Sequence, residues 1–282
     1  MNICKNITLF ILLVLVLLLS ACGQESPQTI EVPIIMYHDI RLEPEPGNSA
    51  IVSVEAFRTQ IQALSDAGFT AVTFDDLIDF VDRGALLPEN PIVITFDDGY
   101  LSNLIYAAPI LEEFNMRATI NVIGISRGRS LYRHTDIPII PHFSWEQARP
   151  WVERGIIQIG HHTYDMHQWH YLPGEPWRRG VLPMEGECSL AHREALIEDF
   201  ERLRRIINEE LGTDVFVFAY SYGLYSEETE SILQELGVRV TLTIHSGINV
   251  IEQGNPNSLF LLNRIKMTER LNIDDFFRFL EG

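Results

Sequence analysis

Residues 91–99 read Pro-Ile-Val-Ile-Thr-Phe-Asp-Asp-Gly. Pro91 to Phe96 is a short apolar run rich in β-branched residues and reads as a buried strand. It passes directly into two adjacent carboxylates, Asp97 and Asp98, and then into Gly99. Neighbouring side chains at a strand end diverge. One carboxylate can therefore bind a metal while the other faces a substrate. Asp-Asp-Gly is also common turn chemistry, so this stretch alone leaves both readings open.

On either side of it, strands and helices alternate. Upstream, Val32 to Ile40 is an apolar strand ending in Met36-Tyr37-His38-Asp39. Phe57, Ile61 and Leu64 then recur at helical spacing up to Gly68, Thr70 to Phe74 is β-rich, and Asp75 to Arg83 is helical up to Gly84. Downstream, helices are expected over Ser102–Phe114, Ser144–Glu153, 189–211, Ser226–Leu236 and Ile273–Leu280, with Ser144 as an N-cap. Between them lie strands at Ala118–Ile123, Ile156–Gly160, Val215–Ala219, Val238–Ile244 and Phe260–Met267. Such alternation implies a parallel sheet with helices outside it. Seven or eight units in one stretch favour a closed or nearly closed (β/α) barrel over an open sheet, and catalytic residues in barrels sit where strands end. The irregular stretches 124–143 and 168–188 are long enough to be functional rims.

Two further strands end in polar clusters. One is Gly160-His161-His162-Thr163-Tyr164-Asp165-Met166-His167, with His170 beyond. Histidine is the commonest metal ligand, although scattered surface histidines are the plain alternative. His162 and His167 are five apart and do not share a helical face, so a shared metal requires a loop or distorted turn. The other cluster, Phe218-Ala219-Tyr220-Ser221-Tyr222-Gly223, is a weak signal by itself.

Together these clusters resemble the polysaccharide deacetylases of carbohydrate esterase family 4, from about residue 33 to the C-terminus. Thr95-Phe96-Asp97-Asp98-Gly99 fits that family's first motif without a change, and His162-Thr163 opens the second. The resemblance implies a distorted (β/α) barrel of about seven parallel strands. It implies a metal-dependent hydrolase that removes N-acetyl groups from an N-acetylglucosamine-containing polysaccharide and releases acetate. Asp98, His162 and His167 would be the metal ligands, with zinc the first candidate and nickel, cobalt or iron behind it. Asp97 would be the general base, the Tyr222 backbone N–H an oxyanion donor, and Trp169 and Trp177 candidate sugar-stacking residues.

The chain departs from the family pattern in three places. The histidine spacing is five rather than four, which is similar to the branch acting on poly-β-1,6-N-acetylglucosamine. Tyr220-Ser221-Tyr222 has serine where the family has proline and lacks the preceding arginine; Arg264 is the candidate substitute. No terminal strand ends in the family's late histidine. An extra N-terminal strand ends in His38 instead, the permuted order of that branch, so His38 would be the general acid, with His245 as runner-up. A catalytically inactive carbohydrate-binding lipoprotein, or a deacetylase of peptidoglycan or chitin-like chains, are the alternatives.

The N-terminus reads as a sorting signal. Lys5 is the sole charge before residue 22, and Leu9 to Leu19 is an unbroken apolar run. That run is short of the roughly 20 residues a spanning helix needs and fits a signal h-region. Leu19-Ser20-Ala21-Cys22 resembles the bacterial lipobox. The expectation is a signal over 1–21, a lipidated Cys22, a tether over 22–31 and the deacetylase domain over 32–282. The partners expected are then the polysaccharide and, through the lipid, a membrane. Of Cys4, Cys22 and Cys188, only Cys188 lies in the folded part, where it is expected to be a small buried residue.

Composition bounds the rest. The 282 residues carry 39 acidic and 21 basic side chains, a net charge of −18, with 46% hydrophobic residues. That balance is globular. It argues against nucleic-acid binding, which draws its affinity from a basic face. No protein partner is expected.

Overall fold

The computed structural model describes residues 27–281. The signal segment, Cys22 and the first half of the expected tether, 22–26, lie outside the described residues. Among the described residues no helix is long and apolar enough to cross a membrane.

In chain order the strands are β1 (Thr29–Val32), β2 (Ile34–Tyr37), β3 (Asp39–Arg41), β4 (Ile51–Ser53), β5 (Thr70–Ala71) and β6 (Pro91–Phe96), then β7 (Ala118–Val122), β8 (Ile157–His161), β9 (Val217–Ala219), β10 (Val240–Leu242), β11 (Asn249–Glu252) and β12 (Ile265–Lys266). The helices are α1 (Val54–Asp66), α2 (Phe74–Arg83), α3 (Ala108–Glu113, entered through a π turn), α4 (Trp145–Glu153), α5 (Ser189–Leu211), α6 (Glu227–Glu235) and α7 (Ile273–Glu281).

Seven strands form a parallel sheet in the order β10-β9-β8-β7-β6-β2-β12, with the short β5 beside the start of β6. The sheet curls until its edges meet at one parallel bridge, Leu242 to Leu262. The expected distorted barrel of about seven strands is the fold observed. Alternation along β6 shows how the barrel is filled. Ile92, Ile94 and Phe96 join the cluster packed under the outer helices. Val93 points the other way, into a cluster with Ile34, Val217, Val240 and the α2 residues Phe74, Leu77 and Phe80. Thr95, Asp97 and Asn121 carry that second face on and are also buried. The barrel interior is thus apolar toward one end and polar toward the other.

Several expected elements differ. The strand over Val32–Ile40 is interrupted at Pro33 and again at His38, and its last part, β3, pairs with β4 instead of joining the barrel. The β-rich stretch Thr70–Phe74 yields only two strand residues, because Thr73 caps α2 in a reciprocal capping box with Asp76. The last strand shrinks to β12. Leu262 still bonds to β10 while Ile265 already pairs with β2, so the segment crosses the barrel seam and has no single neighbour. Thr29 to Glu31, expected as tether, belong to β1, which pairs antiparallel with β11. Cys188 is exposed, not buried, because it stands at the N-cap of α5 on the surface. The Ser144 cap is observed, as a capping box with Gln147.

Candidate active site

Asp97 continues the inward face of β6 and Asp98 turns out of it. Asp98 has φ 70°, and Gly99 follows with φ 75°. A Cβ on Gly99 would lie 2.5 Å from the Arg127 guanidinium, so glycine is required twice over. Arg127 donates from Nη2 to the Asp98 carbonyl at 2.7 Å and from Nε to the Ile123 carbonyl at 3.1 Å, pinning the turn. Thr163 and Tyr222, at the ends of two other strands, also have positive φ, 73° and 58°. Left-handed backbone at non-glycine residues costs energy and collects where function requires it.

Asp97 is held from two sides. Arg264 forms a fork with it, Nη1 to Oδ1 and Nη2 to Oδ2, both at 2.8 Å. Asn121 Nδ2 donates to Oδ1 at 2.8 Å. All three side chains are buried. Burial raises the Asp97 pKa, but the Arg264 guanidinium and the nearby histidines outweigh it and hold the carboxyl below the usual carboxylate range. The room for Asn121 comes from Gly160 on the neighbouring strand β8, where a Cβ would lie 2.2 Å from Asn121 Oδ1.

Asp98 Oδ1 is buried and has no hydrogen-bond partner. His162 Nε2 lies 3.7 Å from it and His167 Nε2 3.5 Å. The three ligand atoms all lie within 4.8 Å of one another. His162 Nδ1 is 2.7 Å from the Ala219 carbonyl. That bond assigns the proton to Nδ1 and leaves the Nε2 lone pair facing Asp98. Burial pushes the His167 pKa down to about 4, so its imidazole is neutral. An orphaned carboxylate oxygen between two imidazole nitrogens fits a divalent cation.

His167 does not continue a helix. Its residue bridges to Arg179, Gln168 N–H donates to the Arg178 carbonyl, and Gly180 N–H donates to the Met166 carbonyl. These bonds make a hairpin whose base carries the histidine. Between the two ligands, both carboxylate oxygens of the half-buried Asp199 on α5 accept backbone N–H groups, from Tyr164 and Asp165, at 2.7 Å each. The Tyr222 ring stacks on His167 with centroids 4.3 Å apart.

His38 is half-buried just after β2, the strand that pairs with β6, which carries Asp97 and Asp98 at its end. The neighbouring Asp39 carboxylate is taken by Arg41 Nε and Ser102 Oγ, each at 2.6 Å. His245 is exposed. His161 lies apart from the ligand cluster, wholly buried between the rings of Phe200 and Phe218, with Nε2 on the Phe200 carbonyl. His170 packs by Tyr132 and Trp169 on the rim. A cavity of about 330 Å³ opens over the cluster, lined by Asp98, His167, Tyr100, Tyr132, His142 and Trp169 among others.

Sequence reasoning missed Asn121, Arg127 and Asp199, while His142 lies in the stretch Pro141-His142-Phe143-Ser144-Trp145 that shares in the family resemblance. Asn121 had a signal, a single amide inside the apolar run Ala118–Val122. The other two are brought in by a loop and by α5 and had none.

The polysaccharide deacetylase family matches residues 85–241, more than half of the chain. A Bacillus subtilis strain 168 protein assigned to the polysaccharide deacetylases, YxkH, is 27% identical over 92% of this chain and 79% of its own length. The poly-β-1,6-N-acetyl-D-glucosamine N-deacetylase of Escherichia coli K12 is 22% identical over 86% of this chain, which spans 37% of that longer protein. Among solved structures, IcaB from Ammonifex degensii superposes with a TM-score of 0.70 at 25% identity, covering 89% of this chain and 97% of its own. A de-N-acetylase of Aggregatibacter actinomycetemcomitans gives a TM-score of 0.75 at 18% identity, covering 89% of this chain and all of its own. With carboxylates and histidines gathered at the strand ends of this barrel, the chain belongs to the polysaccharide deacetylase family and is a deacetylating hydrolase.

Proposed function

We propose that the protein is a metal-dependent N-deacetylase of an N-acetylglucosamine-containing polysaccharide at the cell envelope. The observation that carries this reading is the unpartnered Asp98 Oδ1 facing Nε2 of His162 and of His167, with a second buried carboxylate, Asp97, beside it. Asp98, His162 and His167 would hold the cation, and two imidazoles with one carboxylate suit zinc. A divalent cation there supplies a Lewis acid for the amide carbonyl and for water.

The chain's own residues supply the proton transfers. Asp97 Oδ1 receives two donors and Oδ2 one, so Oδ2 keeps an acceptor position for a proton from the attacking water. His38, on the neighbouring strand, donates to the departing amine nitrogen. The Tyr222 N–H is the oxyanion donor in this scheme, and the Tyr222 ring packs on the His167 imidazole.

Three observations support the finer points. The similarity to the E. coli enzyme, named for poly-β-1,6-N-acetyl-D-glucosamine, and the place of His38 at the N-terminal strand favour a β-1,6-linked polymer. Leu19-Ser20-Ala21-Cys22 favours lipidation of Cys22 and attachment to the outer side of a membrane. Acetate release from β-1,6-linked, chitin-like and peptidoglycan substrates, with and without chelator, tests the activity. Release that survives complete metal removal refutes metal dependence, and no release from any of the glycans refutes the function. Cys22→Ala should release the protein from the membrane fraction; unchanged attachment refutes the anchor.

A further inference from the structure

The end of the barrel opposite the reaction site carries a second groove, of about 710 Å³. Thr29, Pro33, Phe69, Pro91, Phe277 and Leu280 are among its walls. Pro33 and Pro91 stand where β2 and β6 begin, whereas Asp97, Asp98 and His162 stand where strands end. The six residues of β6 separate the two ends by roughly 20 Å.

Three exposed apolar side chains surround this groove. Leu86, at 85% exposure, is the most exposed large apolar side chain among the described residues, and its segment leads into Glu89, Asn90 and Pro91 at the groove. Val250, 56% exposed, pairs with Glu31 across the β1–β11 ribbon. Directly paired residues share one face of a ribbon, so Val250 stands on the outer face with Glu31, which lines the groove. Phe279, 45% exposed, precedes Leu280 at the end of α7. Large apolar side chains left in water around one groove mark a contact surface.

The position of Cys22 says what that surface meets. Thr29, in the groove wall, lies seven residues beyond Cys22. Seven residues at the full reach of an extended chain span about 25 Å. A lipid on Cys22 therefore keeps this end of the barrel next to the bilayer. So short a tether gives the face a high effective concentration at the lipid, where weak apolar contacts suffice. Glu31 and Glu89 in the groove, on a chain of net charge −18, oppose an anionic partner and suit a zwitterionic headgroup layer.

We infer that the barrel stands by this end on a zwitterionic lipid surface, with Leu86, Val250 and Phe279 at the bilayer interface and the catalytic strand ends turned away from it. The lipid chains supply attachment, and the apolar side chains set the orientation. The reaction site then opens toward polymer outside the membrane and not toward the lipid. This inference rests on the lipidation of Cys22 proposed above.

The test uses the full-length lipidated protein in phosphatidylcholine vesicles. Cys188→Ser removes the exposed thiol of the barrel. A nitrobenzoxadiazole fluorophore is then attached through Leu86→Cys, Val250→Cys or Phe279→Cys. Leu131→Cys, 43% exposed on the loop whose Pro138 lines the catalytic cavity, is the control at the other end. Doxyl-labelled phosphatidylcholine in the bilayer should quench and blue-shift the label at 86, 250 and 279 and leave the label at 131 unchanged. In Leu86→Glu/Phe279→Glu the protein should stay attached and keep its urea midpoint, while quenching of the label at 250 is lost. Equal or stronger quenching at 131, no quenching at any position in vesicle-bound protein, or quenching at 250 that survives the double variant overturns the inference. Absence of lipid on Cys22 by mass spectrometry instead removes the anchor, and the inference with it.

Discussion

Asp97 and Arg264 form the most demanding pair in the molecule, since Arg264 is fully buried and Asp97 nearly so, at 2% exposure. A buried ion pair is costly to assemble, and more costly to break on one side, because the surviving charge is left unsolvated. Arg264→Gln should therefore lower stability by about 3–5 kcal/mol in urea unfolding. Asp97→Asn should keep bound metal and lose turnover by about 10²–10⁴. In a double-mutant cycle, the pair of changes should cost less stability than the sum of the single ones. Additive costs would show that the fork is not what balances Asp97. The same strand ends separate the two histidines that compete for the acid role. His38 is half-buried just after β2, the strand beside β6 that carries the two carboxylates, whereas His245 is exposed and offers its backbone carbonyl to the Arg264 N–H. His38→Ala should abolish turnover and retain metal, and His245→Ala should leave both. The reverse pattern in acetate-release and metal assays would assign the acid to His245.

At the scale of elements, the spacing of His162 and His167 is made possible by a contact far away in sequence. Asp199 on α5 accepts the N–H groups of Tyr164 and Asp165, and so fixes the turn that returns the second histidine to the first. Burial pushes the Asp199 pKa up to about 7, against these two donors. Asp199→Ala should weaken zinc binding by about 10–100-fold, the usual effect of losing an outer-sphere support. Asp199→Asn, which keeps one acceptor oxygen, should fall between parent and alanine variant in a chelator-competition titration; parental affinity for Asp199→Ala would refute the role. This dependence also explains what was legible in the sequence. Asp97, Asp98 and His162 follow strands that period and composition reveal, and short-range signals such as the Ser144 cap were equally readable. The hairpin under His167, the β1–β11 pairing and the seam at Leu262 rest on partners tens or hundreds of residues away, for which local pattern carries no signal. Arg264 could be singled out only because the family motif near Tyr220 lacks its arginine.

For the molecule as a whole, the buried histidines set a pH dependence separable from that of the metal. His161 has its pKa pushed down to about 3, first by burial, against an ordinary value near 6.5. Its Nδ1 accepts the Thr163 N–H at 3.0 Å, which also requires the unprotonated ring. The folded pKa lies below the unfolded one, so the unfolded chain takes up the proton first. The contribution of His161 is complete above about pH 6.5 and is lost progressively as the pH falls toward 3. Asp199, raised to about 7, works in the opposite sense, since protonation favours its folded state between roughly pH 7 and 4. The parent's overall slope mixes these terms. The difference between parent and His161→Phe does not, because phenylalanine keeps the stacking between Phe200 and Phe218 and cannot titrate. At pH 7 the variant should be less stable, having lost the bonds to Thr163 and the Phe200 carbonyl. As the pH is lowered to 4 the gap should narrow, because only the parent must keep a histidine neutral. Urea midpoints of the metal-free proteins at several pH values measure that gap directly, with no contribution from metal release. A gap that stays constant from pH 7 to 4 would show that His161 does not titrate out of the fold in this range.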